Sequence, residues 1–174
     1  MKKVKLLLLL LAFLPGLKAA EAGDLYFGGQ GLYTTVDKYF GFGARAEYNF
    51  WRALEASTTF NFSPKKTIEL QRSTDRKEFS LDGNLHYLLR LGEYTALYPL
   101  AGVNYTRRDI LYHIGGTPID TKEDNVGVNL GFGLRFDVNS IRFGGEWKYI
   151  LTGNDDFERH QLMLHVGYFF NPRW

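Results

Sequence analysis

The sequence contains no cysteine, which excludes a disulfide framework, a thiolate metal site and a cysteine nucleophile. Charge of one sign is scarce too: 21 Lys and Arg against 19 Asp and Glu leave a formal +2, too slight for a nucleic-acid binder. Past the N-terminal segment, no stretch is apolar enough for a membrane-spanning helix. The chain is instead rich in glycine, 19 residues, and in aromatics, 16% of the total. That combination suits β-structure better than helices.

The start, "MKKVKLLLLLLAFLPGLKAAEA", reads as a targeting segment. Lys2, Lys3 and Lys5 form a basic head, Leu6 to Phe13 an apolar run, and Ala20-Glu21-Ala22 an A-x-A cleavage site. The apolar run is too short for a transmembrane anchor, and Pro15 and Lys18 interrupt the residues after it. The expectation is cleavage after Ala22: residues 1–22 are a signal peptide and 23–174 one exported domain.

The stretch "GFGARAEYNF" alternates strictly, with Phe42, Ala44, Ala46, Tyr48 and Phe50 on one parity and Arg45 and Glu47 on the other. A period of two is a β-strand with one apolar face. Eight such strands are predicted: Leu25–Thr34, Tyr39–Phe50, Ala53–Phe62, Glu78–Leu89, Tyr94–Thr106, Asn125–Asp137, Ile141–Leu151 and Phe157–Phe170. The facing of the first is ambiguous; the fifth is apolar on both parities, with Leu97, Pro99, Ala101, Val103 and Tyr105 the better lipid face. These strands are about twice the usual soluble length, close to what a tilted strand needs to cross a bilayer.

The connections sort by length. Those around Trp51 and Arg52, at Arg90–Glu93 and at Val138–Ser140 are tight, Thr35–Lys38 is also short, Thr152–Asp156 is intermediate, and Ser63–Lys77 and Arg107–Asp124 read as long loops. Short turns on one rim and longer connections on the other are what a spanning barrel shows. Aromatics gather near both strand ends, Phe50, Trp51, Tyr87, Tyr94, Phe136, Phe143, Tyr168 and Phe170 at one and Tyr39, Phe40, Phe60, Phe62, Phe79, Tyr105 and Tyr149 at the other. Two belts flanking an aliphatic band match the two membrane interfaces. The aromatic face of "GFGARAEYNF" is therefore expected toward lipid, with Arg45 and Glu47 in the lumen and the sheet closed, since an open edge in hydrocarbon leaves backbone groups unpaired. Lumen glycines, Gly41, Gly43, Gly127, Gly131, Gly133 and Gly144, then make room for long charged neighbours.

With this pattern, and with the strands "LYPLAGVNY" (Leu97 to Tyr105) and "LMLHVGYFF" (Leu162 to Phe170), the chain resembles the small outer-membrane β-barrels of OmpA/OmpX type. The resemblance implies an all-β, eight-stranded, antiparallel, up-and-down transmembrane barrel in the bacterial outer membrane. Its expected partners are membrane lipids, lipopolysaccharide and the barrel-assembly machinery, with Leu164, Val166, Gly167, Tyr168, Phe170 and Trp174 as the assembly signal.

Parity places Arg45, Glu47, Glu55, Asp82, His86, Arg135, Arg142, Glu146 and Lys148 in one lumen network. Glu47 and Glu55 are expected to pair across it with Arg135 and Arg142, forming a structural plug rather than a gated ion path. Ser80, Asp82 and His86 share a face, but about 20 Å separates the ends of that set along one strand, so they form no triad. No serine–histidine pair at credible positions and no metal-ligand spacing is found, so neither catalysis nor a cofactor is expected. Lys65, Lys66, Arg72, Arg76, Lys77, Arg107 and Arg108 make one rim basic, suited either to solvation or to lipopolysaccharide phosphates. The expected role is structural or surface-interacting, as a monomer without nucleic acid. The alternatives are a gated pore, a lipid-modifying enzyme or a soluble lipocalin-like binder.

Overall fold

The computed structural model describes residues 23–35, 38–51, 53–69, 72–114, 117–153 and 157–170, and side chains among them except at 65–69, 72–73, 112–114 and 117–118. The expected leader 1–22 and Trp174 lie outside the described residues, as do the side chains of Lys65, Lys66 and Arg72.

Eight antiparallel strands follow one another around a ring: β1 Leu25–Thr34, β2 Tyr39–Trp51, β3 Leu54–Glu69, β4 Arg72–Tyr87, β5 Thr95–Ile114, β6 Thr117–Val138, β7 Ile141–Thr152 and β8 Arg159–Phe170. β4 continues in register past Leu88 into Leu89–Arg90, because His86↔Leu100 and Leu89↔Leu97 keep the same offset to β5. Each strand pairs with its sequence neighbours, and β1 pairs with β8 from Leu25↔Phe170 to Thr34↔Gln161, which closes the barrel. Closure satisfies the backbone groups that a bilayer cannot.

The molecule is inside-out. The nine lumen side chains expected from sequence, from Arg45 to Lys148, are all 0–4% exposed. Phe42, Leu85, Phe132 and Leu164 are 61%, 55%, 55% and 74% exposed. The soluble lipocalin-like alternative needs the opposite arrangement. On β1, Tyr26, Gln30, Leu32 and Thr34 turn inward, while Phe27, Gly29, Gly31 and Tyr33 turn outward. On β5, inward Tyr98 and Leu100 pack with Leu88 and Ala53, which explains why that strand is apolar on both parities.

Two expectations need correction. The segments read as long loops are strands: β3 and β4 stay paired to Glu69↔Arg72, and β5 and β6 to Ile114↔Thr117. Beyond the bilayer both faces meet water, so charges appear on both parities and the amphipathic signal vanishes although the pairing continues. Nor do the lumen glycines serve only charged neighbours. A Cβ at Gly133 would collide with the Tyr98 ring, and one at Gly144 with the His165 ring. Inward aromatic and imidazole rings claim that space.

Candidate functional site

The lumen holds three polar layers, the outer two joined through Asn104, Thr106 and Arg159. Nearest the short-turn rim, Arg142 Nη1 donates to Glu47 Oε2 at 2.5 Å and Arg135 Nη1 to Glu55 Oε2 at 2.5 Å. Register explains the convergence: Glu47 of β2 and Glu55 of β3 face across the ring to β6 and β7. Arg142 also grips Asp137 through Nε at 2.7 Å and Nη2 at 3.1 Å, a bidentate fork. Arg45 bridges Glu47 at 2.5 Å and Glu146 at 2.8 Å, and Tyr98 donates its hydroxyl to Glu146 at 3.2 Å.

The middle layer centres on Asp82. Lys148 Nζ lies 2.6 Å from its Oδ2, Thr59 donates at 2.8 Å, and Asn104 and Asn129 donate to Oδ1 at 2.8 and 2.9 Å. A buried carboxylate is tolerable only with such a full set of partners. Gln30 and Asn61 hydrogen-bond to each other beside it. Toward the external mouth, Glu78 accepts from Tyr39 at 2.6 Å and pairs with Arg159 at 2.7 Å, Arg76 at 2.8 Å and Arg108 at 3.4 Å. Arg108 also lies over the Phe157 ring, 4.0 Å from its centroid.

Glu78, Arg159, Asp137 and the ring of asparagine and threonine amides and hydroxyls were not in the set expected from sequence. Parity carried a signal for each of the three charged ones, Asp137 sharing the facing of Arg135. Glu78 shares the facing of Ser80 and Asp82, and Arg159 that of Gln161 and His165.

Two absences expected from sequence are corrected, a serine–histidine pair and a metal-ligand spacing. Ser57 Oγ lies 3.0 Å from His86 Nε2, and His86 Nδ1 lies 3.1 Å from Glu55 Oε1, the order of a hydrolase relay. It joins two strands, β3 and β4, with Glu55 directly opposite His86, so a search along single strands misses it. The relay has no room for a substrate. Ser57 is 6% exposed, His86 stacks on Tyr98 at 4.7 Å, and Glu55 is held by Arg135. Glu47, Glu55 and His86 also present ligand atoms within 4.8 Å of one another, a spacing that suits a cation. The guanidinium groups of Arg135 and Arg142 already occupy those carboxylates, so a metal would have to displace them.

The basic rim divides by parity. Arg76 and Arg108 turn into the mouth and join Glu78, whereas Lys77 and Arg107 turn outward. On the outward face Phe62, Phe79, Tyr105 and Val126 are followed by Pro64, Lys77, Arg107 and Asp124. That step marks the outer interface. Tyr105 donates its hydroxyl to Asp124 there at 2.9 Å, and Phe62 and Phe79 pack 4.9 Å apart. Of the expected assembly signal, Leu164, Val166, Tyr168 and Phe170 point outward along β8, and Gly167 lies against the backbone of Phe27 and Gly28.

A family model described as "Outer membrane protein beta-barrel domain" matches residues 5–170. No curated protein matches the chain. Among solved structures, Ail, the attachment invasion locus protein of Yersinia pestis, is 20% identical, covers 86% of this chain and 100% of its own, and superposes with a TM-score of 0.63. Neisserial surface protein A is 14% identical over 84% of this chain and 97% of its own, TM-score 0.62. The N-terminal β-barrel domain of Pseudomonas aeruginosa OprF is 15% identical over 86% and 98%, TM-score 0.58. A second Ail structure, 19% identical over 86% and 100% with a TM-score of 0.61, holds the heparin analogue sucrose octasulfate. At these identities the likeness is one of fold.

Proposed function

Because the chain belongs to the outer membrane protein beta-barrel domain family, we propose that it is a surface-interaction barrel, closed to ions by its own lumen network and without catalytic activity. It resides in the bacterial outer membrane. The observation that carries the closed lumen is the set of buried ion pairs at three successive levels, at Glu47 and Glu55, at Asp82 and at Glu78. Ions would have to break buried pairs to pass. Planar-bilayer recordings on the purified protein should show no conductance above background, and reproducible channel steps would defeat this part. A fluorophosphonate probe should leave Ser57 unlabelled; labelling abolished by Ser57→Ala would revive an enzyme.

The interaction face is the outward rim at Lys77 and Arg107, standing on Phe79 and Tyr105. There phosphate groups of lipopolysaccharide meet cations just above an aromatic belt. The anionic saccharide bound by Ail supports an anionic partner class. Binding of lipopolysaccharide to the full chain in bilayer discs should weaken in a Lys77→Ala/Arg107→Ala variant and with dephosphorylated lipopolysaccharide; unchanged binding in both would overturn the assignment. The barrel acts as a monomer, and the outward residues of β8 serve as its assembly signal. The leader is removed after Ala22, so mass spectrometry of the exported chain should begin at Gly23.

A further inference from the structure

The backbone is held in place right up to Gly23. One step past the Leu25↔Tyr48 pair, Asn49 N donates to Asp24 O at 2.9 Å and Gly23 N donates to Asn49 O at 2.7 Å. The start of a domain ordinarily frays unless something ties it down. Gly23 adopts φ +106°, a conformation that favours glycine, although nothing lies within 4 Å of where a Cβ would stand. Backbone geometry, rather than crowding, calls for glycine here, and that geometry presents its nitrogen to the short-turn rim.

The next residue, Asp24, is 9% exposed, and its Oδ1 is buried with no hydrogen-bond partner. The other carboxylates of the layer nearest this rim are satisfied: Glu47, Glu55, Asp137 and Glu146 each hold a guanidinium of Arg45, Arg135 or Arg142. Arg142, Arg135 and Arg90 lie near Asp24, as does Asp137, but among the described residues no cation forms an ion pair with it. Burial holds its carboxyl above the ordinary carboxylate range in spite of those guanidiniums. A carboxylate taken out of water is costly until a cation and hydrogen-bond donors reach it. The nitrogen clamped by Asn49 belongs to the adjoining residue.

We propose that removal of the leader after Ala22 supplies the missing cation: the α-ammonium created on Gly23 pairs with Asp24 and completes this layer. The inference rests on the cleavage site proposed above and makes that cleavage a structural modification as well as a step of export. Hydrolysis by a leader peptidase breaks the Ala22–Gly23 amide and consumes one water, whose oxygen goes to the new Ala22 carboxylate. Gly23 N has a single proton as an amide and leaves with three as an ammonium. One proton keeps the bond to Asn49 O, and the others are available to the Asp24 carboxylate. An uncleaved chain has neither the charge nor the extra donors. Pairing raises the amine's pKa above its usual ~7.7–8.0, so the stabilisation is complete below that value and is lost as pH rises through the raised one.

Urea unfolding of the processed chain from outer membranes, followed by heat-modifiable gel mobility, tests it once mass spectrometry has fixed the N-terminus. Between about pH 7 and about pH 10 the folding equilibrium of the parent should fall about tenfold further than that of Asp24→Asn, equivalent to about 1.4 kcal/mol. A chain with an alanine inserted between Ala22 and Gly23 carries its ammonium one residue too far out, and Gly23 N is again an amide. At about pH 7 its folding equilibrium should lie about tenfold below the parent's, and the alkaline step should be missing. In the Asp24→Asn background the insertion should change nothing. Equal pH curves for the parent and Asp24→Asn, or an insertion that costs the parent nothing, would overturn the proposal. Should Asp24→Asn fail to fold, the parent and the inserted chain still decide: the same alkaline step in both would overturn it. A parent that begins at another residue would overturn the cleavage site and the pairing together, whereas one that begins at Gly23 and lacks the step would overturn the pairing alone.

Discussion

The wall made of β3 to β6 and the wall made of β7, β8, β1 and β2 start from the same rim and end at different heights. The first set has strands of 16 to 22 residues, the second of 10 to 13. Across the bilayer both walls carry apolar side chains outside and polar ones inside. Above it only the tall wall continues, and there Asp120, Lys122 and Asp124 take the outward positions that Val126, Val128 and Leu130 hold below. Backbone pairing is indifferent to this change. The alternation of polarity thus belongs to the membrane, and the register belongs to the strand.

The largest effect expected concerns pairs removed from water. Lys148→Ala leaves Asp82 buried with only hydrogen-bond donors that carry no charge, and should cost about 3–5 kcal/mol. Arg135→Ala, which strips Glu55 of its closest cation, belongs in the same range. Unfolding of the reconstituted barrel in urea, followed by loss of heat-modifiable mobility, measures both. A loss below about 1 kcal/mol would mean that water reaches the lumen and screens it, as at a protein surface.

A depth series on β6 comes next. Leu130→Arg places a charge on the lipid face near mid-bilayer and should cost about 2–4 kcal/mol, whereas Val126→Arg, one step below the charged rim, should cost about 0–1. Equal costs at the two positions would misplace the outer interface.

The same contrast explains how much of the molecule was readable from its sequence. Within the bilayer, strict alternation in "GFGARAEYNF" and at Val126 to Phe136 identifies strands, and inverted burial is implied by strand length and aromatic belts. Above it, "SPKKTIELQRSTDRK" and "RRDILYHIGGTPIDTKED" have charges on both parities, so strands looked like loops. β1 was ambiguous because its outward positions include Gly29 and Gly31 and its inward ones Tyr26 and Leu32, which inverts the expected sizes. For the lumen, parity assigns a side chain to the interior, but partners depend on register between strands. Asp82 sits among neutral amides from β3, β5 and β6, and Ser57–His86–Glu55 joins two strands. Neither is visible from spacing along one.

Shortening the tall wall sharpens the distinction further. Replacing residues 109–122 by a short turn removes the upper part of β5 and β6 without touching a lipid-facing position. The barrel should keep its heat-modifiable mobility, because every strand keeps both neighbours across the bilayer, where closure is obligatory. Failure to fold would make the upper hairpin part of the barrel's own nucleus rather than an extension of it.

The smallest effect compares like with like. Lys122 and Asp120 form an ion pair of the same chemistry as Lys148 and Asp82, but at 3.9 Å and with side chains 56% and 57% exposed. Water already solvates both ions there, and holding two flexible chains together costs entropy that the weakened attraction barely offsets. Lys122→Ala should therefore shift urea unfolding by less than about 0.5 kcal/mol, and added salt should not change the shift. Were it to cost as much as Lys148→Ala, the region above Val126 would be as desolvated as the lumen.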